Sequence, residues 1–559
     1  MEPHDAAQLY RALLSRDSRF DGVFFVGVTS TGIYCRPVCP APTPRAARCR
    51  YFASAAAAER RGFRPCLRCR PELAPGRVLD TNGDTGDSVA SVDSVERLAR
   101  TAAARIAAGA LDHEGLDALA AELGVSGRHL RRCVERTLGA APVALAQTRR
   151  LLTAKQLLTD TDLPVSQVAF ASGFNSLRRF NALFREQYRL APTALRRSRA
   201  SRGAANDDDP SATAVEPDAD TRGASITLTI AYRPPLHWPA LHAYLAGRAT
   251  PGVEATGADR GGWYARTVSL GEASGWVIVS PRARPRSTRV GGSVHDHALQ
   301  VELSTSLLPV LVPLLARLRR QFDLDADPRA VDAHLSNDAR LAPLVRLRPG
   351  LRTPGAFDGA ELSVRAVLGQ QISVRGATTL AGRLARVLAS PASIAPGDTT
   401  RPELASLTTL PIDIARLADA SPALIAGIGL TRSRAECLVA LARALASNEL
   451  PEITTHAPVQ SPASIVRRLL DLPGIGPWTA DYIVMRALQW PDAFPAGDLA
   501  LRKAMGGLTA ARLRVESQGW RPWRAYAAHH LWASAASAPS LTTARLERRA
   551  VRRTSGAPR

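Results

Sequence analysis

A short stretch near the end of the chain constrains its fold most strongly. Residues 472–482 read Leu-Pro-Gly-Ile-Gly-Pro-Trp-Thr-Ala-Asp-Tyr, with Gly474 and Gly476 between two apolar helical patterns. Two glycines so close together predict a tight helix-hairpin-helix whose backbone N–H groups face a phosphate of DNA. Asp498, in the loop that follows, is a candidate carboxylate for chemistry at a sugar carbon. The alternative is a plain turn between two helices with a surface aspartate.

Length and charge predict several domains and a polyanionic partner. A chain of 559 residues is too long for one core, and roughly three to five domains are expected. Its 72 Lys and Arg residues against 50 Asp and Glu give a net charge of +22, which favours nucleic acid as the partner. The sequence contains neither an apolar run of membrane-spanning length nor a signal-peptide pattern. We therefore expect no membrane contact and a cytoplasmic location.

Four cysteines near the start of the chain form two close pairs. Cys35 and Cys39 make the first pair, and Cys66 and Cys69 make the second. This spacing lets two knuckles converge on one tetrahedral Zn²⁺ ion, which binds deprotonated thiolates. Cys49 lies between the pairs and is expected to be a buried spare thiol. From spacing alone, the zinc could simply hold a small domain together.

The residues around these cysteines resemble the N-terminal domain of the Ada family of DNA alkylation-repair regulators. The resemblance rests on residues 24–39 and on Gly-Phe-Arg-Pro-Cys-Leu-Arg-Cys at 62–69. It implies that Cys35 accepts a methyl group irreversibly from a methylated DNA phosphotriester, while the other three cysteines complete the zinc site. Methylation would remove one negative charge and strengthen attraction to DNA phosphates.

Two helix-turn-helix patterns follow, at 116–132 and 165–180. In the first, Gly124 marks the turn and Ser126 is the predicted N-cap of the second helix. The order of the patterns, the helix expected between them at 143–158 and a closing Leu-Ala-Pro resemble the AraC-type DNA-binding domain.

This resemblance places the second helix of each unit in a major groove of DNA. The side chains that these helices would expose to DNA are Arg128, His129 and Arg131 in the first unit, and Asn175, Arg178 and Arg179 in the second. Sequence alone does not distinguish arginine contacts to phosphate from contacts to bases.

The second half begins with alternating apolar residues and continues with helical patterning. Strand-like segments at 226–232, 263–270, 276–279 and 298–303 predict a small antiparallel sheet with helices on one face. From about residue 308 to 531 helical patterning dominates.

Four features of this half resemble the AlkA type of 3-methyladenine DNA glycosylase, over nearly everything from residue 225 to about 535. They are residues 364–373, the hairpin, Asp498 and residues 520–532. The resemblance implies an aromatic pocket that receives a base flipped out of the DNA stack, formed by Trp478, Tyr482 and Trp532. Electron-rich ring faces favour a purine that alkylation has made cationic.

The same resemblance assigns roles to two further residues. Asp498 would stabilise the oxocarbenium-like sugar that forms as the glycosidic bond breaks, and would orient water. Gln371 aligns with the wedge that fills the gap left by the flipped base, at a position where the family can carry leucine.

Absent residues limit the predicted chemistry. In bifunctional members of the helix-hairpin-helix superfamily a lysine occupies the position that is Trp478 here, and without that amine no Schiff base forms. We therefore predict a monofunctional glycosylase that leaves an intact abasic site. Cys437 stands alone, which excludes the iron–sulfur cluster of some relatives, and no Pro-Cys-His-Arg motif for alkylguanine transfer occurs.

These observations predict a multidomain α+β protein with Zn²⁺ as its cofactor. The predicted parts are a zinc and methyl-acceptor domain at 1–79, a linker at 80–94, an all-α double helix-turn-helix domain at 95–200, an acidic linker at 201–223, a small antiparallel β-sheet domain with helices at 224–304, an all-α helix-hairpin-helix glycosylase domain at 305–540 and a basic tail at 541–559.

The predicted function combines excision of alkylated bases from double-stranded DNA with methylphosphotriester sensing and promoter binding, with RNA polymerase as a further partner. Two alternatives stay open. In one, the chain is a transcription regulator whose glycosylase half only holds DNA, although the presence of Asp498 favours an enzyme. In the other, the zinc is purely structural and Cys35 is inert.

Overall fold

The computed structural model describes residues 6–76, 91–197, 225–282, 297–394, 398, 401–455 and 461–537. The acidic linker predicted at 201–223 and the basic tail at 541–559 lie outside the described residues, as does most of the linker at 80–94. The described part of that linker is the start of a helix, which begins at Ser91 rather than near Val95.

The N-terminal part is a four-stranded sheet with short helices. Its strand order is β3-β1-β2-β4, and β2 pairs with β4 in parallel while the other pairs are antiparallel. Tyr34 lies opposite Pro65, so the parallel pairing brings the residues that follow them, Cys35 and Cys66, to the same end of the sheet. The elements are α1 (Ala6–Leu14), β1 (Phe25–Val28), β2 (Ile33–Cys35), β3 (Cys49–Phe52), α2 (Ala55–Glu59) and β4 (Arg64–Pro65).

The next part is entirely helical and contains both helix-turn-helix units. In each unit a glycine with positive φ makes the turn, Gly124 at 68° and Gly173 at 88°, and a serine caps the second helix. Ser126 accepts from the backbone N–H of His129, as predicted. The helices are α3 (Ser91–Ala107), α4 (Ala110–His113), α5 (Leu116–Glu122), α6 (Gly127–Leu138), α7 (Pro142–Asp160), α8 (Val165–Ala171), α9 (Leu177–Tyr188) and α10 (192–197).

The second half opens with a five-stranded antiparallel sheet in the order β5-β9-β8-β7-β6. The four predicted strands are present, and a fifth, β6, was missed because its Glu-Ala-Thr-Gly sequence is short and lacks large β-forming residues. The elements are β5 (Ser225–Ala231), α11 (Trp238–Ala246), β6 (Glu254–Gly257), β7 (Trp263–Leu270), β8 (Ala273–Pro281) and β9 (Ala298–Ser304).

Alternation along the strands gives this sheet two apolar faces. One face, which includes Tyr264 and Val277, packs in a single cluster with α11, α12 and the second helix-turn-helix unit. The opposite face, which includes Trp263 and Trp276, packs against Leu404 and Leu407 of a later loop. The sheet therefore lies between the second helix-turn-helix unit and a loop of the helical part that follows.

The remaining chain forms a helical domain around a large apolar core. Its helices are α12 (Leu311–Gln321), α13 (Pro328–Leu335), α14 (Ala342–Leu347), α15 (Gly359–Leu368), α16 (Val374–Leu388), α17 (Ile414–Asp419), α18 (Pro422–Ala426), α19 (Arg432–Ala446), α20 (Pro451–Thr455), α21 (Pro462–Leu470), α22 (Pro477–Ala487), α23 (Leu499–Ala504), α24 (Ala510–Glu516) and α25 (Arg524–Ser537). Short 3-10 helices lie at Ser18–Phe20, Ala46–Arg48, Pro71–Leu73, Asp259–Gly261, Thr305–Val310 and Ser517–Trp520.

The predicted multidomain α+β class is confirmed by this architecture. Within the described ranges, no helix has both the length and the apolar character needed to cross a membrane.

Buried polar contacts join the parts of the molecule. Arg233, 1% exposed, donates to the backbone oxygens of Asp21 at 3.0 Å and Gly76 at 2.6 Å, so the sheet half holds the N-terminal part. Lys155 of α7 is also 1% exposed and pairs with Glu72 at 2.5 Å. The helix between the two helix-turn-helix units is thereby tied to the end of the cysteine-containing part.

Candidate functional site

The sulfur atoms of Cys35, Cys39, Cys66 and Cys69 converge, and all four lie within 4.8 Å of one another. Four sulfurs bound tetrahedrally at about 2.3 Å from one ion would be about 3.8 Å apart, so this cluster fits Zn²⁺ with little contraction. Cys49 lies outside the cluster and is buried among Leu9 and Phe24, as expected for a spare thiol.

The four cysteines differ in exposure. Cys39, Cys66 and Cys69 are 6%, 7% and 0% exposed, whereas Cys35 is partly exposed. Backbone N–H groups donate to two of the buried sulfurs, Arg36 to Cys69 at 3.4 Å and Arg68 to Cys66 at 3.3 Å. The sulfurs of Cys69 and Cys66 are therefore held from outside the cluster, and Cys35 is the most exposed of the four cysteines.

Hydrogen bonds among the four sulfurs divide their protonation. The bond with Cys35 holds the pKa of Cys66 and that of Cys39 below the usual range, whereas the bond with Cys39 raises the pKa of Cys35 and burial raises that of Cys69. The buried Arg36 guanidinium adds a positive charge near the sulfurs; its Nη1 donates to the Cys69 carbonyl at 3.0 Å and its Nε to Asp21 at 2.8 Å.

The predicted hairpin lies between α21 and α22. Gly474 has φ of 83°, and a Cβ there would lie 2.9 Å from the Cβ of Cys437, so both conformation and space require glycine. Gly476 is the N-cap of α22, and Pro477 follows at the first helical position. The turn is exposed and the start of α22 has no side-chain cap, so its first backbone N–H groups lack a partner within the helix. Contact of this turn with a DNA phosphate stays a prediction.

Asp498 lies at the N-cap of α23 and is held by three donors. Leu501 donates its backbone N–H to Oδ1 at 2.9 Å. The indole N–H of Trp478 donates to Oδ2 at 3.0 Å, and that of Trp532 donates to Oδ1 at 3.0 Å. The carboxylate therefore has a fixed orientation beside two of the three predicted pocket aromatics.

The three predicted aromatics form one group. Trp478 and Tyr482 stack with ring centroids 5.4 Å apart and planes 10° apart, and Trp532 meets Tyr482 edge-on at 6.3 Å. All three are partly exposed. Electron-rich rings beside a carboxylate suit a flat cation.

Three residues around this group were not anticipated. The hydroxyl of Tyr244 in α11 lies 3.1 Å from that of Tyr482, and Arg486 donates to Tyr482 at 2.9 Å. His529, 3% exposed, meets the ring of Trp532 edge-on at 4.9 Å. Arg486 and His529 are at helical spacing from Tyr482 and Trp532, which was the available signal; nothing local points to Tyr244.

Gln371 is exposed, in the turn between α15 and α16, with φ of 56°. Its neighbour Gln370 donates to the Gly474 carbonyl at 2.9 Å and to the Thr479 hydroxyl at 3.0 Å. The turn that carries Gln371 is therefore fixed to the hairpin and projects from the same surface. The wedge role of Gln371 stays a prediction.

On the helix-turn-helix units, the predicted contact arginines all lie at the surface. Arg128 and Arg131 project from α6, and Arg178 and Arg179 from α9. Asn175 is exposed but donates to the Asp112 carbonyl at 3.3 Å, and His129 is only partly exposed. The four arginines match what the sequence predicted for DNA-facing side chains; their contacts stay predictions.

Together, the fold and these sites define a modular DNA-binding protein with a thiolate zinc site, paired helix-turn-helix units and a helix-hairpin-helix pocket. Comparison with known families agrees part by part. The metal binding domain of Ada matches residues 8–72, a helix-turn-helix domain matches residues 119–198, and the AlkA N-terminal domain matches residues 227–358. The match to the Ada domain, with the four-cysteine cluster, identifies the cofactor as Zn²⁺.

Whole proteins give the same result. The chain is 39% identical over 532 residues to the "Probable bifunctional transcriptional activator/DNA repair enzyme AlkA" of Mycobacterium tuberculosis (strain ATCC 25618 / H37Rv), covering 94% of this chain and 96% of that protein. It is 34% identical over 304 residues to DNA-3-methyladenine glycosylase 2 of Escherichia coli (strain K12), covering 54% of this chain and 96% of the other.

A third match covers about a quarter of the chain. The bifunctional transcriptional activator/DNA repair enzyme Ada of Escherichia coli (strain K12) is 32% identical over 146 residues, which is 26% of this chain and 36% of that protein. The near-complete match to the mycobacterial protein decides the assignment. The chain belongs to the family of bifunctional transcriptional activator/DNA repair AlkA proteins.

Proposed function

We propose that this chain responds to DNA alkylation damage, and that its second half is a glycosylase that excises alkylated bases of the 3-methyladenine type. The observation that carries the proposal is Asp498, whose carboxylate is fixed between the indole N–H groups of Trp478 and Trp532 beside the hairpin. The names of the relatives, which include a DNA-3-methyladenine glycosylase, agree with this substrate.

The steps follow from the chemistry of these groups. The hairpin binds a phosphate, and a flipped base enters among the three aromatic rings. Alkylation at a purine ring nitrogen gives the base a positive charge, which weakens its glycosidic bond and favours the ring faces. As the bond breaks, positive charge moves to the sugar, where the Asp498 carboxylate stabilises it and orients the attacking water.

Substitution of Asp498 tests the proposal. Asparagine also caps helices well, so Asp498→Asn should fold while lowering the rate of 3-methyladenine release by about 10²–10³-fold. Asp413→Asn is the matched control, because Asp413 also caps a helix, α17. Its side chain is exposed, and it is distant from Asp498 in the sequence. Equal release by wild type and Asp498→Asn would refute the proposed role and favour a DNA-holding module.

We propose further that the enzyme is monofunctional. The sequence has two lysines. Lys155 is buried against Glu72, and Lys503 is exposed on α23. With Trp478 at the hairpin position, neither lysine occupies the place of the lysine that forms a Schiff base in bifunctional members of the superfamily. Borohydride should therefore trap no covalent protein–DNA adduct, and strand breaks should appear only after treatment with alkali. An adduct that forms with wild type but not with Lys503→Ala would contradict the monofunctional assignment.

For the first half we propose that Cys35 accepts a methyl group from a DNA methylphosphotriester. Bound zinc keeps the sulfurs as thiolates, and the partial exposure of Cys35 beside three buried ligands supports its selection. Zinc thiolates require a reducing compartment, which supports the cytoplasmic location.

The helix-turn-helix units would bind promoter DNA through Arg128, Arg131, Arg178 and Arg179, and RNA polymerase is the proposed partner there. The proposed domain boundaries are those predicted from the sequence, except that the helix-turn-helix part begins at Ser91.

A further inference from the structure

The two helix-turn-helix units share the helix α7 but have separate apolar cores. The first half of α7 contributes Ala146 to the core of the first unit, and its second half contributes Leu157 to the core of the second. The position of one recognition helix relative to the other therefore depends on α7 and on the polar contacts that surround the two units.

One such contact lies near the N-terminal end of α9. Asp112 of α4 pairs with Arg150 of α7 at 2.8 Å, and its backbone carbonyl accepts from Asn175 at 3.3 Å. A Cβ on Gly173, in the turn of the second unit, would lie only 2.5 Å from the Asp112 carboxylate. The turn of the second unit is therefore joined to the first unit.

The N-terminal part, residues 6–76, contacts the other end of the first recognition helix. Ser54 Oγ donates to the carbonyl of Leu138 at 2.8 Å, and Arg60 donates to the carbonyl of Gly139 at 3.2 Å. Leu138 is the last residue of α6, and Gly139 is its C-cap with φ of 70°. The N-terminal part therefore satisfies carbonyls that the last turn of a helix leaves without a partner.

The same part contacts α9 at an equivalent place. Gln187 is the second-last residue of α9, and its Nε2 donates to the carbonyl of Phe63 at 3.0 Å. Leu67, between the second pair of cysteines, packs against the apolar cluster that contains Phe184 of α9. Both recognition helices are therefore held at their C-terminal ends by one part of the chain.

Buried ion pairs also attach this part to α7. Lys155 and Glu72 form a pair in which the side chains are 1% and 2% exposed, and Lys155 donates to the carbonyl of the zinc ligand Cys66 at 3.3 Å. Arg70 pairs with Asp160, the last residue of α7, at 2.7 Å. Because loss of one partner of a buried ion pair is strongly destabilising, this contact resists separation.

We propose that the N-terminal part fixes the position of α6 relative to α9, and thereby the spacing between the two DNA sequences that these helices read, which rests on the promoter binding proposed above. Each of the two helices has 12 residues and is about 18 Å long, with its predicted contact arginines in the first two turns. A helix held at its C-terminal end has its N-terminal end free to enter a major groove. Ser54, Arg60 and Gln187 are therefore positioning residues that need no contact with DNA.

The test measures spacing in addition to affinity. Full-length wild-type protein selects its binding site from a library of random double-stranded DNA, and one base pair is then inserted between the two halves of that site. The insertion moves one half by about 3.4 Å and rotates it by about 34°, so the affinity of wild type should fall about 10–100-fold. This loss is the spacing penalty.

The variant Ser54→Asp/Gln187→Met removes one hydrogen bond at each recognition helix. Its affinity for the original site should fall about tenfold, because the two helices no longer have one fixed separation. Its spacing penalty should be no more than about threefold, because helices that can shift also reach the altered site.

Each substitution has a matched control. Ser54 also caps α2 by accepting from the N–H of Ala57; aspartate caps as well but cannot donate, whereas Ser54→Asn keeps both the cap and a donor. Gln518→Met is the control for Gln187→Met, because Gln518 also donates to a backbone carbonyl, that of Arg514 at 2.8 Å, within the glycosylase half. Both controls should keep the wild-type spacing penalty.

Zinc content and hydrogen exchange are measured on the same proteins without DNA. The double variant should bind as much zinc as wild type, while the amides at 135–139 and 185–189 should exchange faster. Where Ser54→Asp lowers the zinc content, Arg60→Met takes its place, because it removes the donor to Gly139 and leaves the cap of α2 intact.

A double variant with the wild-type spacing penalty would overturn the proposal and would leave α7 and the contact at Asp112 as the elements that set the spacing. Unchanged exchange at both helix ends would overturn it as well. Failure of promoter binding itself looks different, because wild type would then select no sequence from the library.

Discussion

Trp532 and Asp498 are joined by a hydrogen bond in which the indole Nε1 donates to Oδ1 at 3.0 Å. Trp478 makes the equivalent bond to Oδ2 at 3.0 Å. The same two rings that are proposed as walls of the pocket therefore hold the carboxylate that is proposed to face the sugar. Stacking of the base and placement of the charge would then depend on the same two side chains, and complete loss of either ring should affect both.

Replacement of Trp532 by phenylalanine should separate these two contributions. The ring is retained, so binding of a cationic base should weaken only slightly, while Asp498 loses one of its three donors. Hydrogen bonds to charged groups contribute about 1.5–3 kcal/mol, so single-turnover release of 3-methyladenine should slow by about 10–100-fold.

Trp520→Phe provides the matched control for that measurement. Trp520 also donates its indole N–H to a carboxylate, Asp338, at 2.8 Å, but this pair lies outside the pocket. Trp520→Phe should lower the melting temperature without slowing base release. If it slows release as much as Trp532→Phe, the effect is one of folding rather than of carboxylate placement.

Local patterns predicted much of this fold and site. The paired cysteines, the glycines of the hairpin and the alternation of β7 each determine structure through neighbouring residues, so they can be read without knowing the tertiary fold. Helix α16 (Val374–Leu388) lies in the part of the chain where helical patterning was predicted to dominate, and β7 spans Trp263–Leu270, as predicted. Asp498 was identified by its position after the hairpin.

Contacts between distant parts of the chain could not be predicted in this way. Tyr244 meets Tyr482 across 238 positions of sequence, and Arg233 meets Asp21 across 212. No periodicity encodes such a pairing, because it depends on how separate elements pack. The two indole hydrogen bonds to Asp498 could not be predicted for the same reason. The sequence pattern indicated the aromatics as walls for the base, but it carries no signal that their N–H groups donate to Asp498.

The zinc site should distinguish Cys35 from the buried cysteines. Cys69→Ala removes a fully buried ligand and should abolish stoichiometric zinc binding and loosen the N-terminal part, because metal binding and folding are coupled. After incubation with methylphosphotriester DNA, peptide mass analysis of wild type should show one methyl group, on Cys35.

Cys49→Ser is the control for both measurements. Its sulfur is 4% exposed but lies outside the cluster, so zinc content and methyl uptake should match wild type. Methylation of a different cysteine, or none at all, would contradict the acceptor role and leave the zinc as a structural ion.

The contact between the sheet half and the N-terminal part should depend on Arg233. Its guanidinium donates to the backbone carbonyl oxygens of Asp21, Gly76 and Asp325. Arg233→Ala leaves these buried carbonyls unpaired, at a cost of about 2–4 kcal/mol. Limited proteolysis should then cut near residue 76 faster than in wild type.

An exposed arginine is the comparison for that variant. Arg260 pairs with Glu403 at 2.9 Å, yet its side chain is 73% exposed, so Arg260→Ala should leave the rate of cleavage near residue 76 unchanged. Equal cleavage in wild type and Arg233→Ala would show that the two parts are held together by other contacts.

A pH dependence is expected where the zinc part meets α7. Glu59 of α2 accepts from the Tyr34 hydroxyl at 2.9 Å and from the Thr148 hydroxyl at 2.5 Å. Burial raises the pKa of Glu59 from its ordinary 4.5 to about 7. The folded state therefore holds a proton that the unfolded chain has released, and the resulting stability is complete below about pH 4.5 and is lost as pH rises through about 7.

Local stability is the quantity to measure, because a chain with several cores has no single free energy of unfolding. Hydrogen exchange of residues 54–60 should show protection that falls by up to about 3 kcal/mol between about pH 5 and about pH 8, after correction for intrinsic exchange. Glu59→Gln keeps an acceptor but cannot ionise, so its protection should stay nearly constant. Glu122→Gln, on the exposed side of α5, is the control and should behave as wild type. Parallel pH profiles of protection for wild type and Glu59→Gln would exclude Glu59 as the source of the pH dependence.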